Sequence, residues 1–259
     1  MTSRLVVLGS CGAWPEPGGA CSGYVLEHRG YRILLDLGYE TLSRLLQLLD
    51  STAGDGLDAV VVSHHHPDHM VDLHGLFRAR WFGHRGASPL PLYATPKVYE
   101  TLVALEDDDD TELRQVFDAH PLPAGAYQLG PFQLTSVSLP HFVPNAGVRL
   151  SAPDLTVAYT GDTGPHRALV ELGRDADLYV MEATARDQQA SAPRSTAVPR
   201  LHLRASEAGQ AADQARARRL LLTHFWPGND RRQSAEAAAG AYGGEILVAH
   251  DGLEIALPG

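Results

Sequence analysis

The chain has 259 residues, 44% of them hydrophobic and 20% charged, the balance of an ordinary soluble globular protein with room for one large or two small domains. Its formal net charge of −10 argues against a long polyanionic substrate, because nucleic-acid binders meet phosphate with a basic face. It argues only weakly against a small anion whose charge metal ions neutralise.

Residues 4–9, 23–28 and 31–36 read as strands, with a Gly-, Pro- and Cys-rich loop at 10–22 and a tight hairpin turn at Arg29-Gly30. Leu42, Leu45, Leu46 and Leu49 fall at helical spacing. A strand at 58–62 follows, and 70–82 look helical behind it. A strand at 90–94 and a helix at 95–105 come next. The five acids Glu106 to Asp110 fit a solvated loop or the acidic start of a helix near Thr111 to Phe117. Pro121, Pro123 and Gly125 mark a loop, and 126–138, 146–151 and 154–160 read as strands. Helices at 165–173, 205–216 and 231–242 alternate with strands ending at Met181 and Thr223. This order suits an α/β protein with two sheets between helical layers. No repeat, low-complexity tract or linker interrupts it, so residues 1–259 are expected to form one domain. No apolar run approaches the roughly 18 residues of a membrane span. The run Leu5-Val6-Val7-Leu8-Gly9 is too short for a signal-peptide core. Cys11 and Cys21 are too few for a disulfide framework. A cytoplasmic location without membrane partners is the expectation.

The chemistry concentrates after the apolar run Ala59-Val60-Val61-Val62, in Ser63-His64-His65-His66-Pro67-Asp68-His69-Met70. Imidazole and carboxylate together suit zinc or a similar borderline divalent metal. Side chains at i and i+2 of an extended segment point the same way, so His64 and His66 can grip one ion. Pro67 resists continuation of the extended run and can turn Asp68 and His69 toward a second ion. A purification tag or a surface histidine tract would not follow a buried strand.

The second half repeats one pattern, an apolar strand followed at once by a ligand-type residue. Val137-Ser138-Leu139-Pro140 leads to His141, Val157-Ala158-Tyr159-Thr160-Gly161 to Asp162, Leu178-Tyr179-Val180-Met181 to Glu182, and Leu220-Leu221-Leu222-Thr223 to His224. Layered sheet proteins gather their sites at strand ends. Each of these residues alone fits a structural role nearly as well: His141 packing on Phe142, Asp162 in a turn, His224 capping a strand.

The run from His64 to His69 resembles, residue for residue, the H-x-H-x-D-H signature of the metallo-β-lactamase superfamily. The resemblance implies that superfamily's fold, an αββα sandwich of two mixed β-sheets flanked by helices. It also implies two divalent ions, zinc by preference, with manganese or iron suited to similar ligands. One ion would lie on His64, His66 and His141, the other on Asp68, His69 and His224, with Asp162 bridging them. Met181-Glu182-Ala183-Thr184 resembles the Glu-Ala-Thr motif of ribonuclease Z and its relatives, and Leu201-His202-Leu203 the segment carrying their extra histidine. In that group the histidine protonates the leaving oxygen and the glutamate orients it. His202, Glu182 and Asp68 are therefore the expected catalytic residues.

Bacterial ribonuclease Z carries a long basic arm between its third histidine and its bridging aspartate. Here only residues 142–161 lie between His141 and Asp162, enough for a strand, a turn and a strand. The chain resembles arm-less relatives described as cyclic-nucleotide phosphodiesterases, through Leu8-Gly9-Ser10-Cys11-Gly12, Ser22-Gly23-Tyr24, Gly161-Asp162-Thr163-Gly164 and Leu220-Leu221-Leu222-Thr223-His224. The leading expectation is a phosphodiesterase that cleaves a small phosphodiester by metal-bound hydroxide attack, in a chain able to form a homodimer. Three alternatives stand beside it: a transfer-RNA-processing endonuclease of the ribonuclease Z type, a lactone or thioester hydrolase, and a non-catalytic metal-binding regulatory module. The nuclease would need a basic exosite, for which Arg78, Arg80, Arg85, Arg216, Arg218 and Arg219 are the candidates.

Overall fold

The computed structural model describes residues 3–185 and 200–259. They fall into two compact units, residues 3–123 with His250–Leu257 and Gly259, and residues 124–185 and 200–249 with Pro258. Each unit contains one seven-stranded mixed sheet. Among the described residues, no helix is long and apolar enough to cross a membrane.

The first unit orders its sheet β14-β1-β2-β3-β4-β5-β6, from β1 (Ser3–Gly9), β2 (Gly23–His28), β3 (Tyr31–Leu37), β4 (Ala59–Val62), β5 (Leu90–Ala94), β6 (Phe117–Pro121) and β14 (Glu254–Leu257). Pairing is antiparallel from β14 to β3 and parallel from β3 to β6. The β2–β3 hairpin turns at Arg29 and Gly30, whose φ values of 53° and 84° are both positive, the backbone of a primed two-residue turn. Val60 and Val62 alternate with Ala59 and Val61 along β4, and all four are buried, as a parallel strand covered on both faces requires. One face of the sheet packs against α1 (Leu42–Leu49), α2 (Pro67–Gly83), α3 (Pro96–Leu105) and α4 (Leu113–Val116), through side chains such as Leu45, Leu73, Phe77, Val98 and Leu102.

The second unit orders its sheet β13-β12-β11-β10-β9-β8-β7. Its strands are β7 (Ala126–Leu129), β8 (Phe132–Leu139), β9 (Asn145–Ser151), β10 (Thr156–Tyr159), β11 (Leu178–Glu182), β12 (Arg219–Thr223) and β13 (Glu245–Val248), and its helices α5 (Ala168–Leu172), α6 (Ala205–Ala215) and α7 (Arg231–Ala239). β7 to β10 pair antiparallel and β10 to β13 parallel. Two antiparallel steps separate β8 from β10, so β8, β10, β11 and β12 all run the same way. The four strand ends that precede His141, Asp162, Glu182 and His224 therefore lie along one edge of this sheet.

Several local expectations need correction. α2 starts at Pro67 rather than at residue 70, because proline is preorganised for the first helical turn, where its missing N–H is not needed. Asp68 and His69 thus sit on the first turn of a helix. The strand expected at 126–138 is a hairpin, broken at Gly130-Pro131. The helix expected near Thr111 to Phe117 shortens to α4, and Phe117 opens β6. Strands β13 and β14 had no counterpart in the sequence reading. Between His141 and Asp162 stand only a loop, β9, a turn and β10, so the arm is absent as expected.

Candidate metal centre

In the first unit the motif leaves β4 and enters α2. His64 and His69 are fully buried, and Asp68 is nearly so. His64 Nε2 lies 3.1 Å from His66 Nδ1, and His69 Nε2 lies 3.6 Å from Asp68 Oδ2. The other ring nitrogens of His64 and His69 are occupied. His64 Nδ1 faces the Ser63 hydroxyl at 3.0 Å, and His69 Nδ1 faces Asp36 Oδ2 at 2.7 Å. Asp36 also accepts from the Ser63 N–H at 2.7 Å and the Ser63 hydroxyl at 2.8 Å. The Ala13 N–H donates to Asp68 Oδ2 at 2.7 Å, which fixes that carboxylate. Desolvation and then the charge of Asp68 push the nearby Cys21 thiol up, so Cys21 remains a neutral packing residue.

The second unit assembles the other set. His141 Nε2 lies 3.5 Å from Asp162 Oδ2, and His224 Nε2 lies 3.2 Å from Asp162 Oδ1. Each oxygen of Asp162 thus faces a different histidine. His141 Nδ1 is 3.1 Å from the Leu201 carbonyl, and His224 Nδ1 is 2.6 Å from the Thr184 hydroxyl. Beside them, His202 Nδ1 lies 3.1 and 3.2 Å from the two oxygens of Glu182 and 3.9 Å from Asp162 Oδ2. Glu182 is fully buried and also accepts from the Thr163 N–H, which ties it to the loop carrying Asp162. The Ala185 N–H donates to the Leu203 carbonyl at 2.9 Å and holds the His202 segment in place.

The donor sets fit divalent ions. Ligands of a tetrahedral zinc stand about 3.3 Å from one another, given bonds of roughly 2.0–2.1 Å. The spacings of 3.1, 3.2, 3.5 and 3.6 Å match the edges of such polyhedra. For His69, His141 and His224 a partner at Nδ1 sets the tautomer that leaves the Nε2 lone pair open, the usual outer support of metal-binding imidazoles.

All nine expected site residues thus sit in one or the other of these two clusters. The sequence reading gives no role to Asp36, Ser63 or Thr184, whose side-chain oxygens face Nδ1 of His69, His64 and His224. Asp36 carried a legible signal: it ends the apolar run Ile33-Leu34-Leu35 in the pattern used for Asp162 and Glu182. Three other residues near the motif have structural partners. Asp72 accepts from the Leu42 N–H at 2.9 Å and so caps α1, His74 pairs with Glu106, and His84 pairs with Asp55.

Gly38 shows how tightly the first cluster is framed. A Cβ there would stand 1.9 Å from the Asp68 carbonyl oxygen, backbone that cannot swing aside. Gly38→Ala is expected to destabilise the protein by on the order of 3 kcal/mol and to lower bound metal. Denaturant unfolding and metal analysis check it, and a change below about 0.5 kcal/mol, the size of an ordinary surface substitution, would refute it.

Strand-end carboxylates and imidazoles in two mixed sheets define a metallo-hydrolase class. The Beta-lactamase superfamily domain matches residues 31–225, and the chain belongs to that superfamily. The probable metallo-hydrolase YhfI of Bacillus subtilis (strain 168) is 30% identical over 256 residues, covering 96% of this chain and 98% of that protein. The crystal structure of YhfI, a metallo-β-lactamase fold protein, superposes with a TM-score of 0.84 at 26% identity, covering 99% of this chain and 100% of that one. Ribonuclease Z of Thermobifida fusca (strain YX) is 29% identical over 315 aligned positions, covering 99% of this chain and 95% of that enzyme. The chain is thus similar to ribonuclease Z as well as to YhfI, and the expected fold class holds. The last alignment is longer than this chain, so that enzyme carries segments this chain lacks.

Proposed function

We propose that the chain is a dinuclear metal-dependent phosphodiesterase, cytoplasmic, acting on a small phosphodiester such as a cyclic nucleotide. His64, His66, Asp68, His69, His141, Asp162 and His224 would hold the two ions, within a single hydrolase domain. Bound ions supply a water that ionises near neutral pH and neutralise charge on the attacked phosphoryl group. The reading is carried by the His202–Glu182 pair. Glu182 accepts the Nδ1 proton of His202 and orients the ring, as general-acid catalysis by its imidazolium form requires. The Nε2 proton is then available to the substrate. When the scissile P–O bond breaks, the electron pair stays on the leaving alkoxide, and His202 delivers its proton there. A lactone or thioester hydrolase has less need of this second acid, and a purely regulatory module has none.

The RNA-processing alternative is less favoured by the arginines that would serve it. Arg78 pairs with Glu106, Arg216 with Asp175 and Arg218 with Asp177. Arg80 is buried and donates to the Gly54 carbonyl at 3.1 Å. The exposed pairs would have to be exchanged, at a modest cost each, before these guanidiniums could meet phosphate.

Purified protein offered a cyclic nucleotide, a bis-aryl phosphodiester and a precursor transfer RNA is expected to cleave the first two and spare the third. Dialysis against a chelator is expected to abolish both activities, and zinc, manganese or ferrous ion to restore them. Efficient cleavage of the transfer RNA, or turnover unaffected by chelation, would overturn the proposal.

A further inference from the structure

Phe142 follows the proposed ligand His141 directly, and its side chain is left largely in water at 66% exposure. Among the described residues its ring meets two imidazoles. The His141 ring lies 5.3 Å away, edge-on at 75°, and the His202 ring lies 5.9 Å away. Exposed apolar residues scattered singly need no explanation, but this one stands beside the group assigned as general acid. Its loop is also held rigid. The Pro140 carbonyl accepts from the Gly164 N–H at 2.8 Å, His141 is tied to the Leu201 carbonyl, and the buried Asn145 amide donates to the Thr160 carbonyl at 3.0 Å. The ring is thus presented in a fixed place at little further entropic cost on binding.

We infer that Phe142 is a stacking platform for the nucleobase of the substrate, which makes the substrate a nucleotide rather than a generic phosphodiester; this rests on the phosphodiesterase reading above. In a cyclic nucleotide the base stands one ribose ring away from the scissile P–O bond. Phe142 stands a comparable single-ring reach from His202, the residue that protonates the sugar oxygen. Base–aromatic stacking is tolerant of base identity because every base has a π-face. Phe142 is a positioning residue in this scheme and takes no part in the chemistry.

The test compares wild type with Phe142→Ala, Phe142→Leu and Phe142→Trp on two substrates, cyclic adenosine monophosphate and the cyclic ribose phosphate without its base. Metal content is measured throughout. Phe142→Ala and Phe142→Leu are expected to raise KM for the nucleotide on the order of tenfold, within the range of one lost stacking contact, with kcat and metal content preserved. KM for the base-free compound is expected to stay within about twofold, and Phe142→Trp to restore nucleotide KM. Equal effects on both substrates, lost metal, or no effect at all would overturn the inference. Titration calorimetry with adenosine monophosphate, which is not a diester, reads the same contact without turnover. Wild type that binds this ligand in a Phe142-dependent way but cleaves no phosphodiester would sink the proposed function and leave the platform standing.

Discussion

His202→Ala is expected to lower kcat for a cyclic nucleotide by on the order of a thousandfold, the middle of the range for a positioned general acid, without loss of bound metal. His202 is outside the seven proposed ligands, and its Nδ1 is engaged by Glu182. It nevertheless stands close enough to Asp162 and His224 to be a conceivable metal ligand, so metal content decides between the two roles. The leaving group offers a second discrimination. A nitro-activated bis-aryl phosphodiester releases a stable phenolate that needs no proton, so the same substitution is expected to slow it far less. Falls of similar size on both substrates, or metal lost with the imidazole, would rule out the general-acid assignment.

The pattern that located the site was physical. In a sheet whose strands run parallel, C-terminal ends share an edge, and polar residues placed there leave the strands free to be apolar throughout. β4, β10, β11 and β12 read as near-continuous apolar runs for that reason, and Asp162, Glu182 and His224 stood out after them. Asp36 obeys the same rule at the end of β3. It reads only as the close of the third strand because it neighbours no histidine in sequence, and its partners Ser63 and His69 come 27 and 33 residues later. Hydrogen bonds to a ligand's far nitrogen leave no spacing in the sequence. Thr184 and Leu201 stand in the motif stretches, but their bonds to His224 and His141 leave no spacing for the same reason.

The elements that were missed are edge elements. β6 reads Phe-Asp-Ala-His-Pro, with polar residues and a proline that an interior strand would not accept. As the last strand of its sheet it pairs with β5 alone, and an edge position tolerates both. β13 is also terminal in its sheet, and β14 joins its own through β1. Each has four residues, too few for alternation to declare itself. The Pro67 helix start was misplaced for a different reason. Proline was read as an interruption, when its fixed φ makes it a natural first residue of a helix. The consequence reaches the site, since that start puts Asp68 and His69 on a rigid helical turn.

Asp36→Asn is expected to weaken metal binding by roughly tenfold to a hundredfold, the effect of losing an outer-shell partner, while the fold survives. Asp36 has φ 56°, a left-handed conformation that asparagine tolerates nearly as well as aspartate, so the backbone has no reason to move. The amide oxygen can still accept from the Ser63 N–H. The amide nitrogen, however, is a donor where the second carboxylate oxygen accepted from both the Ser63 hydroxyl and His69 Nδ1. An N–H facing an N–H is repulsive, so His69 is driven to the tautomer that carries its proton on Nε2. That proton occupies the lone pair the metal requires. Stability of the metal-free protein is expected to fall by about 1–3 kcal/mol, the penalty for buried hydrogen-bonding groups left poorly matched. Chelator competition and denaturant unfolding of the metal-free protein separate the two effects. An affinity within about twofold of wild type, smaller than the least expected effect, would show that Asp36 supports the fold without setting the tautomer of His69.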